Sequence, residues 1–302
     1  MKKSKSIFLS LIVMALWGSL FPCVKSGYSF GAINSGSVAD ILMFAAIRFT
    51  LCGGLVCLFC LLRRKSVGIP SKKSVCNIIL IGLFAIVLHY ACTYVGLSTT
   101  DSSKTALLKQ SGALIYVCIS FLFFKDERFS IYKIIGAVVG FCGIAAINFS
   151  KSSISFSLGD ILILCASACT VISNIISRKS TQNCPALWLT GISQLFGGVV
   201  LLILSAALGG TLPELNAEFI AVFAYICIAS ITAYTLWYYV LRTSELSKLF
   251  IIKFAEPLFA CAFGAIILNE DIFKWQYLVA FILISVGILV GHYNGKKEKI
   301  ND

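Results

Sequence analysis

Apolar stretches of membrane-spanning length follow one another along almost the whole chain, separated by short polar connectors. A helix needs about 20 consecutive apolar residues to cross the hydrocarbon core of a bilayer. Short connectors leave no room for a soluble domain between the stretches. The pattern predicts ten transmembrane segments, numbered here in chain order, at about 6–27, 38–62, 75–97, 103–124, 131–149, 157–177, 186–208, 217–241, 246–268 and 274–293.

Composition agrees with this pattern and excludes several classes of protein. The chain has 302 residues, of which 59% are hydrophobic and 13% charged, whereas about a quarter of the residues in a soluble domain are charged. A soluble enzyme, a secreted disulfide scaffold and a disordered adaptor are therefore excluded. The net charge of +12 invites a nucleic-acid interpretation, but in so apolar a chain we expect a lipid bilayer, and no nucleic acid, as the partner.

The distribution of Lys and Arg predicts the orientation. With the N-terminus in the cytoplasm, the cytoplasmic connectors and tails carry 18 basic residues and the opposite side carries four. Cytoplasmic loops of membrane proteins are enriched in Lys and Arg in this way. We therefore expect a multi-pass protein of the plasma membrane with both termini in the cytoplasm and an even number of helices.

Metal, cofactor and catalytic chemistry find little support in the residues. The 13 cysteines are scattered, nearly all of them within apolar segments, and the chain has two histidines, His89 and His292. This spacing indicates neither a disulfide framework nor a zinc site. No GxSxG, HExxH or phosphate-loop run occurs in the sequence. We expect no metal, no cofactor and no enzymatic activity.

The two halves of the chain resemble each other weakly. A shift of 144 residues aligns charged and glycine positions of segments four and five with those of segments nine and ten, and a shift of 143 matches Glu127 to Glu270 instead. Five helices in each half give the halves opposite orientations in the membrane. We predict an all-α integral membrane protein made of two inverted five-helix repeats, residues 1–150 and 151–302; chance similarity between apolar helices is the alternative. The aligned pairs are Lys104 and Lys248, Lys109 and Lys253, Glu127 and Asp271, and Gly143 and Gly287.

Loose motifs recur in a specific order along the chain. They are Leu16-Trp17-Gly18-Ser19 with Phe21-Pro22, Arg48-Phe49, Tyr94-Val95-Gly96-Leu97, Gly159-Asp160, Trp237-Tyr238-Tyr239, and Glu256-Pro257-Leu258-Phe259 followed by Glu270. In these motifs the chain resembles the drug/metabolite transporter superfamily, in its EamA-like branch of ten-helix carriers. The resemblance implies export of amino acids or similar compounds. One departure is Leu114, which stands where the family often has a proline, so a bend in the first half is in doubt.

Four ionisable residues lie within the predicted segments rather than at their ends. They are Arg48, Lys109, Lys253 and Glu256. Charges at membrane depth are costly and usually functional. Lys109 and Lys253 occupy matched positions on either side of Glu256, which is near the midplane and one helical turn from Lys253. We expect the lysines to bind a carboxylate or phosphate of a substrate and Glu256 to be the candidate for proton coupling.

Structural explanations of the same residues stay open at this point. Lys253 and Glu256 form a neutralised pair in one of them, and Lys109 extends its stem towards the outer face in another. Glu256 either takes up a proton or fixes a kinked helix, and we expect Arg48 to be structural or interfacial.

Aromatic residues in the middle of the segments are expected to line a substrate cavity. Trp17 lies beside Gly18 in segment one, and we add Tyr94, Tyr234 and Trp237 as substrate-binding candidates. His89 is interpreted as a packing residue, and Asn174 and Gln194 as polar groups that bridge helices.

GxxxG motifs occur at matching places in segments five and ten, Gly136 to Gly140 and Gly287 to Gly291. This motif permits close approach of two helices. We expect these helices to pack on each other outside the transport core, although packing on a second protomer is also open. The chain is accordingly expected to be a monomer or a homodimer.

Together these features predict a secondary transporter that moves small metabolites bearing a carboxylate or phosphate, such as amino acids, by alternating access. Export is the expected direction, with protons as the possible coupling ion. One alternative is an efflux carrier for multiple drugs or cationic compounds, which needs an exposed carboxylate and an aromatic cage, as Glu256 and Trp17 would supply. The other is a structural or regulatory membrane protein that transports nothing.

Overall fold

The computed structural model of the protein describes residues 3–97, 102–148, 157–269 and 275–293. Within these ranges the secondary structure is helical and contains no β-strand. The helices are α1 Lys3–Phe30, α2 Val38–Leu62, α3 Arg64–Val67, α4 Lys72–Gly82, α5 His89–Leu97, α6 Ser102–Ile119, α7 Ile131–Asn148, α8 Leu158–Ser180, α9 Ala186–Ala207, α10 Ala217–Leu241, α11 Leu246–Lys253, α12 Glu256–Leu268 and α13 Trp275–Gly291.

Helices of spanning length account for most of the described chain. Seven are long and apolar enough to cross a membrane: Ser4–Phe30, Val38–Leu62, Lys72–Gly96, Leu158–Ser180, Ala186–Ala207, Ala217–Leu241 and Leu246–Leu268. Three shorter apolar helices, Leu108–Leu122, Ile131–Ala146 and Trp275–Gly291, coincide with predicted segments four, five and ten. The protein is therefore a helical membrane protein, and the count of ten spans stays a prediction.

Polar residues in the connectors determine where several helices begin. Ser37 caps α2, Ser71 caps α4 and Asn216 caps α10, each by accepting a hydrogen bond from a backbone N–H of the first turn. Ser157 and Asp160 form a reciprocal capping box at the start of α8. These caps satisfy backbone donors that would otherwise remain unpaired where the helix starts.

Glycines allow α2 and α9 to pack at backbone contact. A Cβ atom on Gly53 of α2 would lie 2.1 Å from the backbone nitrogen of Leu195, and one on Gly198 of α9 would lie 2.3 Å from that of Thr50. Gly54, the next residue of α2, faces open space. The pair therefore depends on glycine at the faces that meet.

The two GxxxG motifs pack on each other within one chain, as predicted. A Cβ atom on Gly136 of α7 would lie 2.5 Å from the carbonyl oxygen of Gly287, and one on Gly287 of α13 would lie 2.7 Å from the backbone nitrogen of Gly140. Close approach of the backbones provides the van der Waals packing that holds helices together in lipid. The glycine faces of α7 and α13 are thus covered without a second protomer.

Two of the membrane-spanning stretches depart from regular α-helix. A π-helical turn, Leu83–Leu88, joins α4 to α5, and a short interruption at Phe254 and Ala255 separates α11 from α12. Pro257 follows this interruption, and it has no N–H to bond the carbonyl of Lys253. The span Leu246–Leu268, which carries Lys253 and Glu256, therefore contains an irregular turn between them, in which Phe254 and Ala255 keep helical dihedral angles. In the first half, α6 runs unbroken through Leu114, so the halves differ here.

A buried carboxylate ties together three parts of the chain at the predicted cytoplasmic end of the bundle. Glu127, in the connector between α6 and α7, is 2% exposed. Its Oε1 accepts hydrogen bonds from Arg178 at the end of α8 (2.9 Å) and from the backbone N–H of Ser247 in α11 (3.2 Å). Its Oε2 accepts from Lys133 of α7 (3.4 Å) and from the hydroxyl of Ser247. Asp271 and Glu270, its predicted counterparts, lie outside the described residues.

Glu245 extends this cluster on the side of α11. Its carboxylate contacts the Nζ of Lys133 at 2.6 Å and that of Lys248 at 2.5 Å. Burial raises the pKa of Glu245, but the hydrogen bonds and charges of the two lysines outweigh burial and hold the pKa below its ordinary value. The stabilisation from this carboxylate is therefore present at neutral pH and lost as the pH falls through the lowered pKa.

We predict opposite effects for two neighbouring glycine substitutions in α2. Gly53→Ala should destabilise the protein by about 1–3 kcal/mol, since its Cβ meets the backbone of α9 and the helices must separate. Gly54→Ala should leave stability unchanged or raise it by up to about 1 kcal/mol, because alanine favours the helix and the site is open. Thermal unfolding of the purified protein measures both, and equal effects of the two substitutions would contradict the backbone contact.

We also predict unequal roles for the two acidic partners of Arg178. Glu127→Gln should destabilise the protein by about 1.5–3 kcal/mol, because Arg178 and Lys133 lose their fully buried counter-charge and keep only the more exposed Asp126 and Glu245. Asp126→Asn is the matched control, since the Asp126 side chain is 64% exposed and exposed pairs contribute about 0–1 kcal/mol. Chemical unfolding in mild detergent measures the difference, and a Glu127→Gln protein as stable as the control would show that Glu127 does not hold the helices together.

Candidate functional site

A cavity of about 570 Å³ lies among α1, α2, α5, α6, α8, α10, α11 and α12. Described residues of α7, α9 and α13 do not line it, so of the four glycine-packed helices α2 alone contributes to the wall. All seven predicted site residues line this one cavity: Trp17, Tyr94, Lys109, Tyr234, Trp237, Lys253 and Glu256.

Trp17 is the centre of the aromatic part of the wall. Its ring lies 5.7 Å from that of Tyr234 and 5.3 Å from that of Trp237, measured between centroids. The Nζ of Lys253 lies 5.4 Å from the centroid of the same Trp17 ring, within the range of a cation–π contact. Helix α1 directs Trp17, Phe21 and further residues one or two turns apart to the cavity because they share one helical face.

The break between α11 and α12 places a base and an acid side by side in the wall. Lys253 is the last residue of α11 and Glu256 is the first of α12. A carboxylate at the start of a helix is stabilised by the helix dipole. Glu256 Oε2 is buried and has no hydrogen-bond partner among the described residues.

Lys109 reaches the cavity from a turn of α6 that is fixed to α8. Ser167 of α8 donates a hydrogen bond from its hydroxyl to the carbonyl oxygen of Lys109 (2.7 Å) and accepts one from the backbone N–H of Gly112 (2.9 Å). A Cβ atom on Gly112 would lie 2.5 Å from the Ser167 hydroxyl, so glycine is needed for this contact. The charge of Lys109 interacts with those of Glu256 and Lys253.

The side chains of Lys109, Lys253 and Glu256 come together without pairing. Among the residues that the structure describes, none of the three forms an ion pair or hydrogen bond through its charged group. Lys253 and Glu256 therefore make no direct ion pair, although their charges interact. Both lysines are half-buried and point into the cavity, which leaves their ammonium groups available to a ligand.

A hydrogen-bonded chain that the sequence did not reveal runs along the wall. Nδ1 of His89 lies 3.1 Å from the carbonyl oxygen of Ala166 and 3.0 Å from the Thr170 hydroxyl. Asn174 donates to the carbonyl of Thr170 (2.7 Å) and accepts from Nε1 of Trp237 (2.7 Å). Because Ala166 O can only accept, Nδ1 carries the hydrogen, and Nε2 of a neutral His89 is an acceptor.

The expected packing roles hold only in part. Asn174 bridges α8 and α10, as predicted, but it also lines the cavity together with His89. Gln194 is fully buried in α9 and bonds no described residue, so its expected bridging role is wrong. A signal for the contribution of α8 to the wall was present in the sequence. Its polar residues Ser167, Thr170, Asn174 and Ser177 recur every three or four residues in an otherwise apolar helix.

Arg48 also lines the cavity, although the sequence indicated a structural or interfacial role. It is 4% exposed, and its surroundings are described below with the inference that they carry.

The cavity ends close to the ion cluster of Glu127. Ser177 and Phe250 line the cavity, and they lie one residue from Arg178 and three residues from Ser247, respectively. The ring of Tyr116 packs on that of Phe250 at 5.1 Å. The cavity therefore reaches to within one helical turn of residues in the ion cluster.

The described residues contain no group of three or more His, Cys, Asp or Glu side chains arranged to hold a metal ion. The chemistry of the wall is that of ammonium, guanidinium, carboxylate and hydroxyl groups between aromatic rings. Such a wall can bind a small polar ligand by charge, hydrogen bonds and ring stacking.

Relatives of similar sequence include proteins named as transporters. The model of the EamA-like transporter family matches residues 4–149 and again residues 157–291. The uncharacterized transporter YoaV of Bacillus subtilis (strain 168) is 25% identical over 300 residues, which cover 96% of this chain and all of YoaV. A chloroplastic WAT1-related protein of Arabidopsis thaliana is 26% identical over 213 residues, which cover 66% of this chain and 51% of the Arabidopsis protein.

One solved crystal structure has the same fold over almost the full length. It superposes with a TM-score of 0.79 at 18% identity and covers 96% of this chain and 97% of the other.

Proposed function

Because the chain belongs to the EamA-like transporter family, we propose that it is a secondary carrier that exports small metabolites bearing a carboxylate or phosphate, amino acids among them, across the plasma membrane by alternating access. Membership in the family makes it a membrane transporter. The observation that carries the choice of substrate is the pair of cavity lysines, Lys109 and Lys253, whose ammonium groups have no ion-pair partner among the described residues.

The energetics of charge support an anionic substrate. An ammonium group in the hydrocarbon region costs a few kcal/mol unless a counter-charge or water compensates it. Glu256 is the single carboxylate among the described lining residues, and it faces two lysines. A substrate carboxylate or phosphate supplies the charge that this arrangement lacks.

Two observations support alternating access between inverted halves. One family model matches the chain twice, at 4–149 and 157–291, close to the proposed repeats 1–150 and 151–302. The contacts between helices also correspond. Helix α1, the first of the first half, contacts α10 and α12, which belong to the third and fourth segments of the second half. Helix α8, the first of the second half, contacts α5 and α6, which belong to the third and fourth segments of the first half. Under this proposal both termini lie in the cytoplasm, α6, α7 and α13 complete the ten spans, and the carrier works as a monomer or homodimer.

Efflux of cationic compounds fits the cavity less well. A cationic substrate would stack on the electron-rich face of an aromatic residue, yet Lys253 already lies over Trp17. The formal charge of the wall is positive as well, because Arg48, Lys109 and Lys253 outnumber Glu256. A purely structural role would not explain why charged side chains are directed into a cavity, where they are costly.

We predict that the cavity lysines are needed for transport. In proteoliposomes, Lys109→Gln and Lys253→Gln should each reduce counterflow of labelled carboxylate substrates at least about tenfold, since each loses a charge-assisted bond worth roughly 1.5–3 kcal/mol. Lys73→Gln, at an exposed position of α4, removes the same charge and should leave transport unchanged. Substrates for the assay come from a stabilisation screen of amino acids, carboxylates and phosphate esters. Wild-type counterflow rates in both cavity variants would refute the binding role.

We further predict that Glu256 couples transport to protons. Glu256→Gln should abolish the response of uptake to an imposed pH gradient while exchange of substrate for substrate continues, because the amide cannot release or take up the proton. The measurement compares uptake with and without a pH gradient in wild-type and variant proteoliposomes. If the variant keeps the wild-type response to the gradient, Glu256 is not the coupling residue.

A further inference from the structure

Arg48 is a buried cation without a carboxylate partner in the described part of the chain. It lies in the first half of α2 and is 4% exposed. Its Nη2 donates to the hydroxyl of Tyr90 (3.2 Å), and its Nε is buried and has no hydrogen-bond partner. The guanidinium stacks on the ring of Phe49, 4.3 Å from the centroid. Rings and a phenol hold the group in place but provide no negative charge.

The acid nearest to Arg48 along α2 is occupied elsewhere. Asp40 lies about two turns away, and its Oδ1 accepts hydrogen bonds from the backbone N–H (2.7 Å) and hydroxyl (2.8 Å) of Thr211. A guanidinium stays charged under all conditions in proteins. A buried charge of this kind is retained where a counter-charge compensates it. An anionic ligand in the cavity can supply that counter-charge.

The charged groups of the cavity fall into two sets. Lys109 and Lys253 interact electrostatically with Glu256, so this set carries a formal charge of one. Arg48 lies instead against Tyr90, whose hydroxyl accepts its hydrogen bond and whose ring centroid is 5.7 Å from the guanidinium carbon, and it also carries a formal charge of one. Between the sets stand rings of Phe49, Tyr234 and Trp17, with centroid distances of 6.2 Å and 5.7 Å along that row.

From this division we propose that Arg48 is a second anion-binding position, and that the substrates of the carrier are dicarboxylates, with one carboxylate at the lysines and the other at Arg48. The proposal rests on the proposed function as a carrier of anionic metabolites. One carboxylate at each set neutralises that set. The planar fork of a guanidinium binds a carboxylate through two parallel hydrogen bonds, and hydroxyls of Tyr28, Tyr90 and Tyr94 line the same part of the wall. Tyr234 and Trp17, the two rings of this row that line the cavity, would contact the carbon chain between the carboxylates.

The test compares ligands that differ in one carboxylate. The purified full-length protein in lipid nanodiscs is titrated with glutarate and pentanoate, and with adipate and hexanoate, using calorimetry. In the wild-type protein each dicarboxylate should bind at least about tenfold more tightly than the monocarboxylate of the same length. Arg48→Gln should reduce dicarboxylate affinity to that of the monocarboxylate and change monocarboxylate affinity less than about threefold. Lys253→Gln should weaken all four ligands.

Several outcomes separate the proposal from its competitors. Equal binding of both ligand classes to the wild-type protein overturns the second anion position and leaves the carrier of anions intact. Failure of the wild-type protein to bind any of the four overturns both. A uniform loss of affinity in Arg48→Gln shows that Arg48 only supports the fold. Should Arg48→Gln unfold, Arg48→Lys keeps the charge without the fork, and an unchanged preference for dicarboxylates in Arg48→Lys would overturn bidentate binding.

Discussion

The cost of holding a charge away from water shapes the arrangement of this protein. Charged side chains in an apolar bundle need a counter-charge, a hydrogen-bond network or access to a wet cavity. At the predicted cytoplasmic end the protein uses the first two, since Glu127 joins Arg178, Lys133 and Ser247 in one buried cluster. In the interior it uses the third, because Arg48, Lys109, Lys253 and Glu256 all face the cavity. In the cluster the acidic and basic side chains neutralise one another, whereas the cavity wall has an excess of positive charge.

The helices pack in two different ways, closely through glycine in some pairs and around the cavity in others. The pairs α2–α9 and α7–α13 approach at backbone contact through glycine, which forms close helix pairs that leave no space between them. The helices that wall the cavity instead bring rings, hydroxyls and charges to their inner faces. Helix α2 does both, because it packs on α9 through the face of Gly53 and lines the cavity with Arg48.

The interruption at residues 254 and 255 links the fold to the chemistry. Pro257 cannot bond the carbonyl of Lys253, so the regular α-helix is interrupted inside an apolar stretch of membrane-spanning length. Irregular backbone at membrane depth is tolerated where it lines a cavity. Three features meet at this interruption: Lys253 lies over Trp17, the carboxylate of Glu256 lies at a helix start, and these two side chains form no ion pair.

Sequence alone determined the class of protein, the helices of spanning length and the seven side chains expected around a cavity, Trp17 and the lysines among them. These follow from local quantities, since hydropathy and intramembrane charge are properties of a short stretch of chain. Tertiary structure decided that His89 and Arg48 belong to the wall, that Glu127 is buried beside Arg178, and that Lys253 and Glu256 stay unpaired. Helices that are apolar on every side show little periodicity, so the sequence does not indicate which face turns inward or which distant residues meet.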